Sequence, residues 1–278
     1  MIKEEESTKV KKFQRIFKIK ILKNKMKRGE KKGQLTIFII IAIVIVAIGV
    51  LMYLFFPQIK TGLGISTNDP NAFIQDCMEE KIESTVKTLS SQGGSITPIN
   101  YFPYQDENIE YLCYTNEYYI PCVMQQAMLK QHIENEIKNE ILAEKKACFD
   151  SLKKNFESSG YTVTLIEGET RVELLPKRIV VAFENDLTLT KDGSERYDKL
   201  SVVLNNNLYE LISIAKSILN MEARYGDSET TIYMNYYHDL KVEKKKQTDG
   251  TTIYILTDRN KGDIFQFASR SIAWPPGI

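Results

Sequence analysis

Leu35–Phe56 is a run of 22 residues without a charge, broken only by Thr36 and Gly49, and nothing else in the chain constrains it as strongly. As a helix this run would extend about 33 Å, enough for the roughly 30 Å hydrocarbon core of a bilayer. The apolar part of a cleaved export signal is shorter, about 7–15 residues, and closes on small residues. This one closes on Tyr53-Leu54-Phe55-Phe56-Pro57, aromatics suited to a membrane–water interface. The sequence therefore predicts one transmembrane helix over 34–56. Lys25, Lys27, Arg28, Lys31 and Lys32 precede it, and Lys60 alone follows closely. The positive-inside tendency then leaves the N-terminus in the cytoplasm and the bulk of the chain outside, a single-pass signal anchor at the cell membrane.

Charge divides the chain at the same place. Residues 1–33 hold 13 Lys and Arg against four Glu, whereas residues 57–278 hold 24 basic and 32 acidic residues. The leader interleaves its basic residues with Phe13, Ile16, Phe17, Ile19, Ile21 and Leu22, a pattern attracted to anionic lipid at about 1 kcal/mol per basic residue. Met26 offers a second translation start that leaves a short leader. The acidic exterior argues against nucleic-acid binding, which needs a basic surface. The expected organisation is a cytoplasmic leader (1–33), a transmembrane helix (34–56), a linker (57–70) and an extracytoplasmic domain (71–278).

At Lys31-Lys32-Gly33-Gln34-Leu35-Thr36-Ile37-Phe38 the chain resembles the archaeal class III signal peptides of type IV pilin-like proteins, in which a basic leader meets Lys-Gly-Gln before the apolar helix. The same start, followed by an external domain, is similar to archaeal membrane-anchored proteins without a characterised role. The resemblance implies a prepilin peptidase as a partner, cutting between Gly33 and Gln34. Many such pilins carry Glu at the fifth position after the cut, where it pairs with a neighbouring subunit's amine. Phe38 stands there instead, and the run lacks a Gly-x-x-x-Gly pair for close helix packing. An anchored protein is therefore favoured over a polymerising subunit.

Beyond the linker, Asn68 or Asp69 before Pro70 caps a helix carrying Ile74, Cys77, Met78, Ile82, Val86 and Leu89, which Gly93-Gly94 ends. A hairpin is expected about Thr115-Asn116, then one long amphipathic helix from Val123 to Ser158. Strand patterns follow at 161–166, 170–175, 178–190 and 200–204, with a turn at Lys191-Asp192-Gly193. A helix over 206–225 and strands at 240–246, 251–257 and 263–269 close the chain. The fold class expected is α+β, with helices packed on a largely antiparallel sheet.

All four cysteines fall in the external part, where an even number suggests disulfides. Cys77 and Cys148 lie on apolar helix faces, and Cys113 and Cys122 flank one hairpin, so the favoured pairs are Cys77–Cys148 and Cys113–Cys122. Without a Cys-x-x-Cys, and with both histidines distant in sequence, no metal site is expected.

Catalytic motifs are sparse. His132 reads as a solvated helical residue and His238 as a turn residue, with no His-Glu-x-x-His between them. Ser-x-x-Lys occurs at Ser84/Lys87, Ser151/Lys154 and Ser213/Lys216, a frequency chance supplies, and its companion motifs are missing. There is no phosphate-binding loop, dinucleotide fingerprint or nucleophile elbow, so no cofactor is expected. Asn-x-Ser/Thr does not occur.

Aromatics supply the binding signal. Tyr101, Tyr104, Tyr111, Tyr114, Tyr118 and Tyr119 crowd the region before the long helix, either as contact area for a protein or glycan partner or as half-buried strand residues. Tyr233, Tyr236 and Tyr237 form a second group. The function expected is noncatalytic: a single-pass cell-surface protein for interaction, adhesion or envelope support. A filament subunit processed at Gly33 is the alternative, and an anchored surface hydrolase a distant third.

Overall fold

Residues 69–275 are described by the computed structural model. The leader, the Gly33–Gln34 bond, the apolar run 34–56 and all but the end of the linker lie outside them. Pro70 opens α1 (Pro70–Ser91), since its missing N–H costs nothing at a first helical position, and the Asp69 side chain accepts from the Asn71 amide at 2.9 Å. Ile74, Met78, Ile82, Val86 and Leu89 form its buried stripe. Gly93 and Gly94, at φ +85° and +107°, then turn the chain where a side chain does not fit. A β-carbon on Gly94 would lie 3.0 Å from Ile133 Cγ1.

β1 (Tyr101–Tyr104) and β2 (Glu107–Tyr114) make a tight antiparallel hairpin about Gln105-Asp106, both at positive φ. β3 (Val123–Met124) returns along β2 after a wide loop rather than a tight turn at Thr115-Asn116. The long helix expected from Val123 is two, α2 (Leu129–Glu140) and α3 (Leu142–Ser158), broken at Ile141. Ile137, Ile141 and Cys148 are all buried, so the apolar stripe runs through the break and periodicity does not register it.

Six strands follow: β4 (Thr162–Ile166), β5 (Thr170–Leu175), β6 (Arg178–Phe183), β7 (Asp186–Thr190), β8 (Ser194–Tyr197) and β9 (Leu200–Leu204). Their ladders form two three-stranded antiparallel sheets, β4-β7-β8 and β5-β6-β9. Because β4/β5, β6/β7 and β8/β9 are consecutive, the two are halves of one meander creased across its middle. Asn185 Oδ1 accepts the Gly168 amide at 2.9 Å in the crease, and Glu184 N donates to Glu169 O at 2.9 Å. A β-carbon on Gly168 would fall 1.7 Å from Glu184 O.

α4 (Leu208–Tyr225) ends at Gly226 in the left-handed region. After α5 (Thr231–Tyr236) come β10 (Leu240–Lys246), β11 (Thr251–Asp258) and β12 (Ile264–Arg270). They extend a six-stranded sheet of order β1-β2-β12-β11-β10, with β3 beside β2. α1 packs against β9, β12, α2 and α3, and α4 against β11, β12, β2 and α2. Cys77 is bonded to Cys148, tying α1 to α3, and Cys113 to Cys122, the pairs the sequence favours.

The expected architecture needs correction on two counts. The sheets are several and the largest is mixed, because β2 and β12 run parallel. Their paired residues lie more than 150 positions apart in sequence, and a parallel pair leaves no turn in the sequence to announce it. Secondly, no helix among the described residues is long and apolar enough to cross a membrane, so the fold described contains no N-terminal transmembrane helix. α1 has the length, but Asp76, Glu79, Glu80, Lys81, Glu83 and Lys87 on its outer side make it a surface helix of a globular core.

Candidate functional site

The loop between β2 and β3 carries Tyr118, Tyr119 and Ile120 and is closed at its base by Cys113–Cys122. The segment after β12 runs alongside it. Tyr119 N donates to Ala273 O at 3.0 Å, and Ile272 N to Ile120 O at 2.9 Å. The Ser271 hydroxyl accepts from Cys122 N and donates to Glu222 O, each at 2.9 Å, which fastens both strands of the clasp to α4. Arg270 donates to Thr115 O at 2.5 Å and to Asp249 O at 3.0 Å, with its guanidinium 5.4 Å from the Tyr118 ring centre. Glycines admit this segment. A β-carbon at Gly226 would meet Ile272 Cδ1 at 2.1 Å, and one at Gly250 would meet the Ala273 β-carbon at 2.5 Å.

The clasp presents two aromatic rings edge to face. Tyr119 and Trp274 have centroids 5.2 Å apart at 76°, and they remain 51% and 61% exposed. Tyr118 and Ile120 are exposed beside them. Tyr119 adopts φ +62° and Ile272 φ +43°, backbone states that L-residues hold only when their surroundings fix them. The rings are thus held by covalent and hydrogen-bonded bracing.

Only part of the tyrosine group belongs here. Tyr111 is buried, with its hydroxyl 2.7 Å from Thr251 Oγ1 and its ring 4.8 Å from that of Tyr114. Tyr104 and Tyr114 pack with it, Ile109, Ile253 and Ala268 in a small apolar cluster on the outer face of the large sheet. Tyr101 is exposed on β1, away from the clasp residues in sequence. Of the second group, Tyr236 and Tyr237 are exposed on and after α5, and Tyr233 bonds Ser217 at 2.8 Å. Trp274 had no sequence signal, since its partner lies on a loop about 155 residues away.

Two polar clusters were also missed. Glu222 of α4 is buried, with its carboxylate accepting from the Tyr254 and Ser269 hydroxyls. Burial holds its pKa above the ordinary value, outweighing those hydrogen bonds and the nearby Lys244, and burial likewise pushes the Tyr254 phenol up. The second lies around buried Ser95, whose hydroxyl donates to Glu110 Oε2 at 2.6 Å and sits 2.8 Å from His132 Nε2. Glu136 accepts the Ile96 amide at 2.9 Å, and burial raises the Glu110 pKa. A serine nucleophile needs its proton aimed at a base oriented by a third group. Here one hydroxyl lies between acid and imidazole, an arrangement that clamps the loop after α1. His132, half-buried on α2, is tied to this loop through the Ser95 hydroxyl.

An open cleft of about 510 Å³ lies between α2 and α4, lined by Met128, Lys130, Glu134, Tyr209, Ser213 and Lys216 among others. One Ser-x-x-Lys pair faces it, but Ser213 donates to Tyr209 O at 2.8 Å within its own helix, and Lys130 is paired with Glu134 at 2.7 Å. Glu144 stands beside Cys77 and Cys148 with metal-ligand proximity, yet both sulfurs are already bonded to each other. No protein-family model matches the chain, and no curated protein sequence matches it.

Proposed function

We propose that this chain is a noncatalytic surface protein that binds a protein or glycan partner through Tyr118, Tyr119, Ile120 and Trp274. It acts at the cell membrane, with residues 57–278 outside. The observation that carries the reading is the Tyr119–Trp274 pair, exposed yet fixed by a disulfide and a hydrogen-bonded strap. Rings already immobilised lose little conformational entropy on binding, and aromatic side chains are the usual anchors of interfaces. Trp274 is the sole tryptophan, so its emission reports this surface alone. Added envelope glycans or a cognate surface protein should shift that emission. Tyr119→Ala and Trp274→Ala should each abolish binding of the labelled protein to cell envelopes while leaving the melting temperature unchanged. Undiminished binding by both variants defeats the reading.

Lys32-Gly33-Gln34 favours a second reading, a pilin-like subunit cut by a prepilin peptidase. It requires a mature chain beginning at Gln34 and polymers at the surface, and an intact leader on the membrane-extracted protein excludes it.

A further inference from the structure

The sheet edges among the described residues are closed in different ways. Asn71 Oδ1 takes the Ser201 amide at 2.9 Å, and Gln75 accepts from Val203 N at 2.9 Å while donating to Val203 O at 3.2 Å, so α1 occupies the edge of β9. Glu134 of α2 takes the Leu174 amide of β5 at 2.8 Å. β10 carries Lys241, Lys245 and Lys246, and Met234 Sδ lies 3.4 Å from its Val242 amide. β8 bears Glu195 and Arg196, and β1 contains Pro103, which has no N–H to offer. These are the usual guards against strand addition.

β4 has none of them. Thr162-Val163-Thr164-Leu165-Ile166 is uncharged, lacks proline and ends its sheet, with β7 as its only strand neighbour. Thr162, Thr164 and Ile166 are exposed, while Val163 is buried and Leu165 half-buried on the opposite face. We infer that β4 pairs antiparallel with β4 of a second copy, giving a continuous sheet β8-β7-β4-β4-β7-β8 about a two-fold axis at Thr164.

The sequence of this edge selects a second copy over a foreign strand. Centred on Thr164, the pairing sets Val163 opposite the partner's Leu165 on the inner face and Thr162 opposite the partner's Ile166 on the outer one. Continued one step, it sets Tyr161 opposite the partner's Glu167. Lys191 lies 5.1 Å from the Tyr161 ring centre, on the same face by the β4–β7 register. Neither Glu167 nor Lys191 is in a salt bridge among the described residues. The two-fold therefore sets each Glu167 beside the other copy's Tyr161, with Lys191, whose Nζ donates to Ser159 O at 3.0 Å, on the far side of that ring, one pair of opposite charges on either side of the axis.

The test uses the full chain in native membranes. Directly opposed residues of an antiparallel pair have α-carbons about 4.5–5.5 Å apart, within disulfide reach, and no native cysteine is free to interfere. Thr164→Cys should cross-link into a dimer on mild oxidation. Thr162→Cys alone should not, and Thr162→Cys combined with Ile166→Cys should. In detergent sedimentation, Glu167→Lys should weaken self-association by about fivefold, and adding Lys191→Glu should restore it. A Thr164→Cys chain that stays monomeric, or that cross-links to a different protein, overturns the inference. So does self-association that ignores the charge reversal.

Discussion

Glu222 shows how one buried carboxylate shapes the response of the fold to pH. An unfolded glutamate titrates near its ordinary 4.5, and burial raises the folded value above that. The folded chain then holds more protons than the unfolded one between the two values, so stability is greatest below the lower value and falls as pH rises through the folded pKa. Glu110 acts in the same direction. Glu243, held at about 2 by hydrogen bonds from Lys241 and Lys245, acts oppositely, losing its contribution as pH drops through that range. The melting temperature should therefore rise as pH is lowered from neutral toward the ordinary glutamate value of 4.5, and Glu222→Gln should flatten that rise. A variant whose slope matches the parent's removes Glu222 from the account. Glu222→Ala leaves the Tyr254 and Ser269 hydroxyls without their acceptor and should cost about 3 kcal/mol by denaturant unfolding. None of this was legible in sequence, where Glu222 is one polar residue at a helix end.

Elements whose signals are local were readable. α1 was announced by Asp69-Pro70, its apolar spacing and Gly93-Gly94, and α4 by its apolar stripe. The β7–β8 and β10–β11 turns were marked by Asp192-Gly193 and Asp249-Gly250. The β1–β2 turn was not, because Gln105-Asp106 does the work usually left to Asn-Gly. The interaction surface was half legible for a related reason. Tyrosines on strands and on a loop look alike in sequence, and burial separates Tyr111 from Tyr119 only once β2 is flanked by β1 and β12. The role of α1 at the β9 edge was hidden too, because Gln75 looks like an ordinary surface glutamine. Gln75→Ala should destabilise the domain by about 1–2 kcal/mol and speed amide exchange at Val203, while exchange at β6 amides changes less. Equal exchange at Val203 in variant and parent contradicts the edge-closing role.

The domain is held together across long sequence distances: β2 beside β12, the clasp beside the segment after β12, and α1 bonded to α3. Cys77–Cys148 spans 71 residues, and its closure is worth about 4 kcal/mol in the chain-entropy treatment. Replacing both cysteines with alanine should lower unfolding free energy by roughly that amount, whereas replacing Cys113 and Cys122, only nine residues apart, should cost less in stability. That second change should act mainly on Trp274 emission, through the loosened clasp. The longer crosslink also has a mechanical meaning. Tension arriving from the residues before Asp69 enters at the first two turns of α1 and reaches Cys77 almost at once. From there sulfur carries the load sideways into α3, so the helix can unwind no further than its opening turns before a covalent bond takes the strain.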